Sequence, residues 1–172
     1  MIHTNLTKEN KMLYGKILYH STYGYFTILS DDYYIRKLEF GKRPLPEGAV
    51  WLENHPLLQM AEQQLMEYFD GKRLQFSLPL APDGTTFQKV VWDALQQIPY
   101  GETVSYGILA KILGRPKAAR AVGGACHQNK IVIVIPCHRV VGVNGDLTGF
   151  GGGIPLKKAL LNLERKIQDK EI

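Results

Sequence analysis

The spacing of apolar residues changes character near residue 80, and that change divides the chain. Upstream of it, short and loosely alternating runs predict three strands: Met12 to His20, Gly24 to Leu29, and Tyr33 to Phe40. Ser30-Asp31-Asp32 is turn chemistry, so the second and third strands are expected to form a hairpin. Gly41 to Gly48, with Pro44 and Pro46, reads as a loop. From Pro56 to Asp70 the period becomes helical, with Leu57, Leu58, Ala61, Leu65, Tyr68 and Phe69 on one stripe and Gly71 as the stop. No nucleophile stands with a base in this half, and its expected role is scaffold.

Ser77 to Gly84 is a linker by composition. Thr85 and Gln88 then fit a capping box, and Phe87, Val90, Val91, Ala94, Leu95 and Ile98 follow helical spacing up to Pro99-Tyr100-Gly101. Ser105 is expected to cap a second helix with apolar positions Ile108, Leu109, Ile112 and Leu113, ending at Gly114. Pro116 is expected to open a third, running from Lys117 to Ala125. Helix, short glycine-containing turn and helix make a helix-turn-helix arrangement. The third helix is nearly bare, with Lys117 and Arg120 its only charges. It offers too few Asn, Gln or Arg side chains to read base edges in a major groove. Small residues suit close approach to a narrow groove through shape and phosphate, or packing against a neighbouring helix.

Ile131-Val132-Ile133-Val134-Ile135 is a run of five β-branched residues and reads as a short buried strand. Pro136 ends it, having no N–H to give to a ladder. Cys137 follows on the turn, with His138 as a possible base and Arg139 as a permanent cation. A thiol on a stiff support beside a base suits a nucleophile; an inert core thiol is the plainer alternative. Beyond it, Asn144-Gly145 suggests a tight turn and a small wing-like ribbon. The glycines between Thr148 and Gly153 let backbone N–H groups approach a ligand. A last helix starts at Pro155 with Leu156, Ala159, Leu160, Leu163 and Ile167 on one face, flanked by Glu164 near the end that disfavours an acid.

The net charge of +5 adds a further division. Residues 1–80 carry 9 basic and 9 acidic side chains, whereas residues 81–172 carry 12 against 7. The whole excess therefore lies in the second half, which suits a polyanion partner for that half alone. Hydrophobic content of 45% is ordinary for a globular protein, and no apolar run is long enough to span a membrane. Met1-Ile2-His3-Thr4-Asn5 lacks the pattern of a secretory signal. Two cysteines, Cys126 and Cys137, are too few for a disulfide framework and suit a reducing cytoplasm.

Ile135-Pro136-Cys137-His138-Arg139-Val140-Val141 resembles the active-site signature of the O6-alkylguanine-DNA alkyltransferases. The resemblance extends from Phe87 to Glu164 through Pro99-Tyr100-Gly101, Ser105-Tyr106, Ala118-Ala119-Arg120-Ala121-Val122-Gly123 and Asn129. It implies an α+β fold: a small ribonuclease H-like N-terminal domain of three strands and a helix (1–78), a linker (79–84), and a winged helix-turn-helix DNA-binding domain (85–172). The implied activity is direct repair. The alkyl group of O6-alkylguanine in DNA, and of O4-alkylthymine, passes irreversibly to the protein's own cysteine. By motif the nucleophile is Cys137, linked through a water to His138, which Glu164 holds; Asn129 ties the turn together and Tyr106 protonates the departing guanine. Arg120 fills the gap left by the flipped base, with Ala119, Lys117, Gly123, Tyr106 and Thr103 on the DNA. The lesion pocket is implied at Val140, Phe150, Gly151, Cys126 and Arg139, with backbone groups of Cys137, Val140 and Gly151 holding the base edges.

Phe150 stands where the family usually has tyrosine, and Gly151 where serine is common. Some relatives hold zinc in the N-terminal domain. Here that half has no cysteine, and His3, His20 and His55 do not make a closed site, so neither metal nor cofactor is expected. The expected partner is double-stranded DNA without sequence preference, bound by a monomer. Two other readings are a non-catalytic lesion-binding module, whose kind lacks the cysteine, and a Cys-His thiol hydrolase, which leaves the basic helix-turn-helix unexplained.

Overall fold

A computed structural model describes residues 11–171 of the chain; His3 and the rest of the stretch read above for a signal lie outside them. The N-terminal sheet has four strands in the order β3-β2-β1-β4. β1 (Tyr14–His20) pairs antiparallel with β2 (Gly24–Ser30), which pairs antiparallel with β3 (Ile35–Phe40). The unexpected member is β4 (Val50–Trp51), parallel to β1. Two residues are too short a run to show a period. Asp31 closes the hairpin by accepting the Tyr33 and Tyr34 amides at 2.8 and 2.7 Å.

Helix α1 (Pro56–Phe69) buries the expected stripe, Leu57 through Phe69, against this sheet, and Gly71 leaves it at φ 71°. In α2 (Thr86–Leu95) both hydrogen bonds of the Thr85–Gln88 capping box are made. Ser105 caps α3 (Tyr106–Ile112) through the Ile108 amide at 3.1 Å. Only Leu109 and Ala110 of α3 face the core, however. Ile108 and Ile112 are 50% and 66% exposed, so the expected apolar face is turned by about one residue. The next helix also starts later than expected. Pro116 and Lys117 lie in the turn, and α4 spans Ala119–His127. Trp92 of α2 fixes α4 by donating its indole N–H to the Ala125 carbonyl at 2.9 Å.

The run Ile131 to Ile135 is buried, yet it is not a regular strand. Its first residues bridge to β3: the Leu38 amide donates to Lys130 and the Val132 amide to Leu38, at 2.9 and 3.0 Å. The chain then curls, the Ile135 amide returning to the Ile131 carbonyl at 3.0 Å, with Ile133 at φ 70°. That conformation is strained for a β-branched residue and persists only because the surrounding packing dictates it. Burial explains the composition; periodicity could not reveal the curl.

The expected wing is a loop. Val143–Gly145 forms one 3-10 turn, with Asn144 at φ 64°, closed by the Gly142 amide on Asp146 at 2.7 Å. Before it, β6 (Val140–Val141) pairs parallel with β5 (Val104–Ser105). The last helix, α5 (Ile154–Lys170), turns Lys157, Leu160, Leu161 and Glu164 inward. Ala159 and Ile167 are only half-buried, so two charged residues occupy the face expected to be purely apolar. Among the described residues no helix is long and apolar enough to cross a membrane.

Candidate active site

Cys137 opens a single 3-10 turn, Cys137–Arg139, directly after Pro136, and is 7% exposed. Asn129 ties that turn to the curl before it. Its Nδ2 donates to the Ile135 carbonyl at 2.7 Å and to Cys137 Sγ at 3.2 Å, while its Oδ1 accepts the Ile131 amide at 3.0 Å. A sulfur that accepts a hydrogen bond is poised for the thiolate form. Burial pushes the Cys137 thiol up nonetheless, and the Asn129 bond and the nearby Lys157 charge only oppose it.

His138 is wholly buried; its Nε2 lies 2.8 Å from Glu164 Oε1, and its Nδ1 has no protein partner. Because a carboxylate can only accept, Nε2 carries the proton and Nδ1 presents its lone pair. Burial lowers the histidine's basicity, and Glu164 pulls the other way. Burial alone would raise the Glu164 carboxyl, but His138 and Arg139 outweigh it and hold it at about 2. Arg139 reaches Glu164 through Nη2 at 2.9 Å and Nε at 3.0 Å, and Ile98 O through Nη1 at 2.7 Å. The Gly101 amide donates to Oε2 at 3.0 Å, and Tyr68 of α1 donates its hydroxyl to Oε1 at 2.7 Å. Glu164 is thus a fully satisfied buried anion in mid-helix, and the expected conflict with the helix end does not arise.

A cavity of about 290 Å³ opens beside the sulfur, lined by Cys137, Cys126, Asn129, Tyr106, Phe150 and Gly151 among others. Two residues expected there are elsewhere. Arg139 faces a separate cavity of about 390 Å³ behind the catalytic turn. Val140 is buried, and its carbonyl accepts Lys157 Nζ at 2.6 Å. Arg139 stands two positions on from Cys137 in the 3-10 turn, which carries its side chain to another side, and Val140 has already left the turn for the β6 pairing. Cys126 does line the pocket, but burial and the neighbouring Cys137 push its thiol up to about 12. Tyr106 packs its ring beside Gly123 and donates to the Thr148 carbonyl at 3.4 Å. Arg120, Lys117 and Thr103 are exposed, and Ala119 is half-buried at the start of α4.

Sequence reasoning missed three residues. Lys157 is a buried ammonium whose charge acts on both thiols. Tyr68 and Phe40 come from the half read as scaffold, one reaching the carboxylate and the other lining the sulfur's pocket. A lysine inside the apolar stripe of α5 was the available signal for the first. Nothing local could have revealed the other two. Of the histidines considered for a metal, His55 stacks on Tyr14 at 4.5 Å and His20 packs on Phe69 at 4.8 Å.

A buried, hydrogen-bonded thiol beside a His–Glu pair, with a pocket over it and a helix-turn-helix alongside, defines a cysteine-centred group-transfer protein fused to a nucleic-acid-binding module. Residues 86–166 match the family model for the 6-O-methylguanine DNA methyltransferase DNA binding domain, and residues 12–82 match that for its ribonuclease-like domain. The chain belongs to this family. It is 45% identical over 149 residues to the methylated-DNA–protein-cysteine methyltransferase of Methanosarcina acetivorans, covering 86% of this chain and 96% of that one. The Haemophilus influenzae protein of the same name is 44% identical over 150 residues, covering 86% and 84%. Among solved structures, Mycobacterium tuberculosis OGT in complex with DNA superposes with a TM-score of 0.84 at 40% identity, over 90% of this chain and 94% of that one.

Proposed function

We propose that this protein is a methylated-DNA–protein-cysteine methyltransferase that removes the alkyl group of O6-alkylguanine from DNA onto Cys137, once per chain. The observation that carries the reading is the polar chain Asn129–Cys137 and His138–Glu164, set against a cavity large enough for a purine. Burial keeps the resting thiol protonated. The proton must therefore leave as the lesion is attacked, and His138 Nδ1, through one bridging water, is its acceptor. The sulfur bonds to the alkyl carbon as the carbon–O6 bond breaks. The released electron pair stays on the purine, which regains a proton with Tyr106 as donor; the tyrosine then recovers its proton from solvent, to which the imidazolium gives up the one taken from the thiol. The imidazolium formed meanwhile faces Glu164, whose charge is in place beforehand.

Residues 85–172 carry this chemistry and the DNA contacts, while residues 1–78 back the site. α4 presents Arg120 on a bare surface one turn before Gly123, beside which Tyr106 lies, and this suits a side chain that enters the duplex as the damaged base leaves it. Binding rests on phosphates and so lacks sequence preference, and one copy suffices. O4-alkylthymine presents the same reacting carbon and is a second substrate.

Incubation of the protein with an excess of duplex carrying labelled O6-methylguanine tests the reading. One equivalent of label bound per chain, followed by arrest, supports it. Many turnovers would mark a thiol hydrolase, and binding without transfer a lesion-recognition module.

A further inference from the structure

The wall of the lesion pocket is not made by the C-terminal half alone. Phe40, the last residue of β3, lines it together with Cys137. Its ring meets Phe150 edge-on, with centroids 5.3 Å apart, and rests back on the buried Phe26 at 5.6 Å and a tilt of 51°. Phe26 and Phe40 are register partners across β2 and β3, so the sheet itself sets where this ring stands. The loop backbone accommodates the ring closely. A Cβ at Gly152 would lie 3.0 Å from Phe40 Cδ2 and Cε2 and 2.7 Å from Leu156 Cδ2. A side chain at position 152 would have to displace Leu156 and press on this ring.

We infer that Phe40 is a specificity-determining residue, selecting for lesions whose O6 substituent is larger than methyl and carries an aromatic face; this rests on the alkyl-transfer reading above. The reacting carbon must sit at Cys137 Sγ, so a methyl group ends there. Anything attached to that carbon extends into the remaining cavity, whose apolar boundary is Val132, Phe150 and Phe40. Phe40 and Phe150 already meet at a tilt of 65°, and a third ring can join such a pair edge-to-face without displacing either. The N-terminal sheet thereby acts on substrate choice while contributing no reacting group.

Single-turnover rates on one duplex sequence, carrying either O6-benzylguanine or O6-methylguanine, provide the test, because both lesions share the cost of base flipping. The readout is the ratio of the benzyl rate to the methyl rate. Phe40→Leu keeps apolar bulk at the strand end and removes the aromatic face, and Phe40→Tyr restores that face. The ratio is expected to fall about tenfold in Phe40→Leu, the effect of losing one aromatic contact, and to recover in Phe40→Tyr. A ratio within twofold of wild type in Phe40→Leu, or a raised one, overturns the inference. Failure of the wild-type protein to accept either group overturns the alkyl-transfer reading instead.

Discussion

The hydroxyl of Tyr68 donates to Glu164 Oε1 at 2.7 Å, joining residues 96 positions apart inside the protein. Oε1 is also the atom that His138 approaches, so a residue of the first helix shares an acceptor with the base beside Cys137. Burial first, and then the Glu164 charge, raises the Tyr68 hydroxyl well above its ordinary value. It therefore stays protonated and serves purely as a donor.

Replacing Tyr68 by Phe tests how much that donor holds. The ring keeps its packing against Phe69, Phe76 and Tyr100, so only the hydrogen bond is lost. A buried bond to a charged acceptor contributes about 1.5–3 kcal/mol, and Tyr68→Phe should lower the urea unfolding free energy by that order. An unchanged midpoint and slope would show that the carboxylate is held without it.

Glu164 also makes stability depend on acid. Its carboxyl titrates from 4.5 in a free chain to about 2 here. A depressed carboxylate stabilises the fold above the unfolded value and ceases to do so as the pH drops through the folded one. The gap corresponds to about 3 kcal/mol, lost between roughly pH 4.5 and 2. His138, lowered below 6.5 by burial, adds a further loss that begins as the pH falls past 6.5. Glu164→Gln should be less stable at neutral pH and should show a shallower loss below 4.5, the share of the lowered Asp31 remaining, measured by denaturant unfolding across pH. The same acid slope in both proteins would contradict the assignment.

These contacts show where the sequence was readable. Elements with a repeating signal were legible: the β1–β3 strands, the capping box at Thr85, the Ser105 cap and the α1 stripe. Cys137, His138, Asn129 and Glu164 stand out through the family resemblance alone, and the fold brings them together although Glu164 lies 26 residues beyond His138. What escaped was geometry made by long-range packing. The curl at Ile133 looks like a strand because burial selects the same β-branched residues in both. Arg139 was assigned to the wrong cavity because a 3-10 turn follows no strand alternation. Tyr68 falls on the apolar stripe of its helix and Phe40 ends its strand, one buried in the core and the other packed on its edge; that each also touches the site depends on how the two halves pack.

Lys157 is a buried cation 5.9 Å from the centre of the Phe150 ring, bonded to the Val140 and Thr148 carbonyls at 2.6 and 3.2 Å. Its charge opposes the effect of burial on Cys137. In Lys157→Met the thiol should be harder to ionise, and alkylation of Cys137 by iodoacetamide at neutral pH should slow by about tenfold or more. The rate–pH curve should shift to higher pH. A superimposable curve would confine Lys157 to a packing role.

Arg120 is exposed on a helix of otherwise small residues. If its side chain takes the place of the flipped base, it acts only when a duplex must be opened. Arg120→Ala should slow transfer from duplex O6-methylguanine much more than transfer from free O6-benzylguanine, since unstacking costs a few kcal/mol only in the duplex. Parallel losses on both substrates would remove Arg120 from that role.

The two thiols of the pocket give the most direct test of the chemistry. Cys126 and Cys137 line the same cavity, and both feel Lys157. They differ in what else surrounds the sulfur. Cys137 Sγ accepts Asn129 Nδ2 at 3.2 Å and stands next to His138, whereas burial and the Cys137 neighbour push Cys126 up to about 12. Burial raises both thiols, and what favours Cys137 is the Asn129 bond to its sulfur and the base beside it, which help the proton leave. The thioether formed by transfer is a carbon–sulfur bond with no good leaving group, so the labelled side chain should persist. Peptide mass analysis after reaction with O6-methylguanine DNA should show one added methyl on the peptide bearing Cys137 and none on that bearing Cys126. Cys126→Ser should still accept the group, and Cys137→Ala should not. A methyl on Cys126 in the wild-type protein, or sustained turnover, would refute the assignment of Cys137 as the single acceptor.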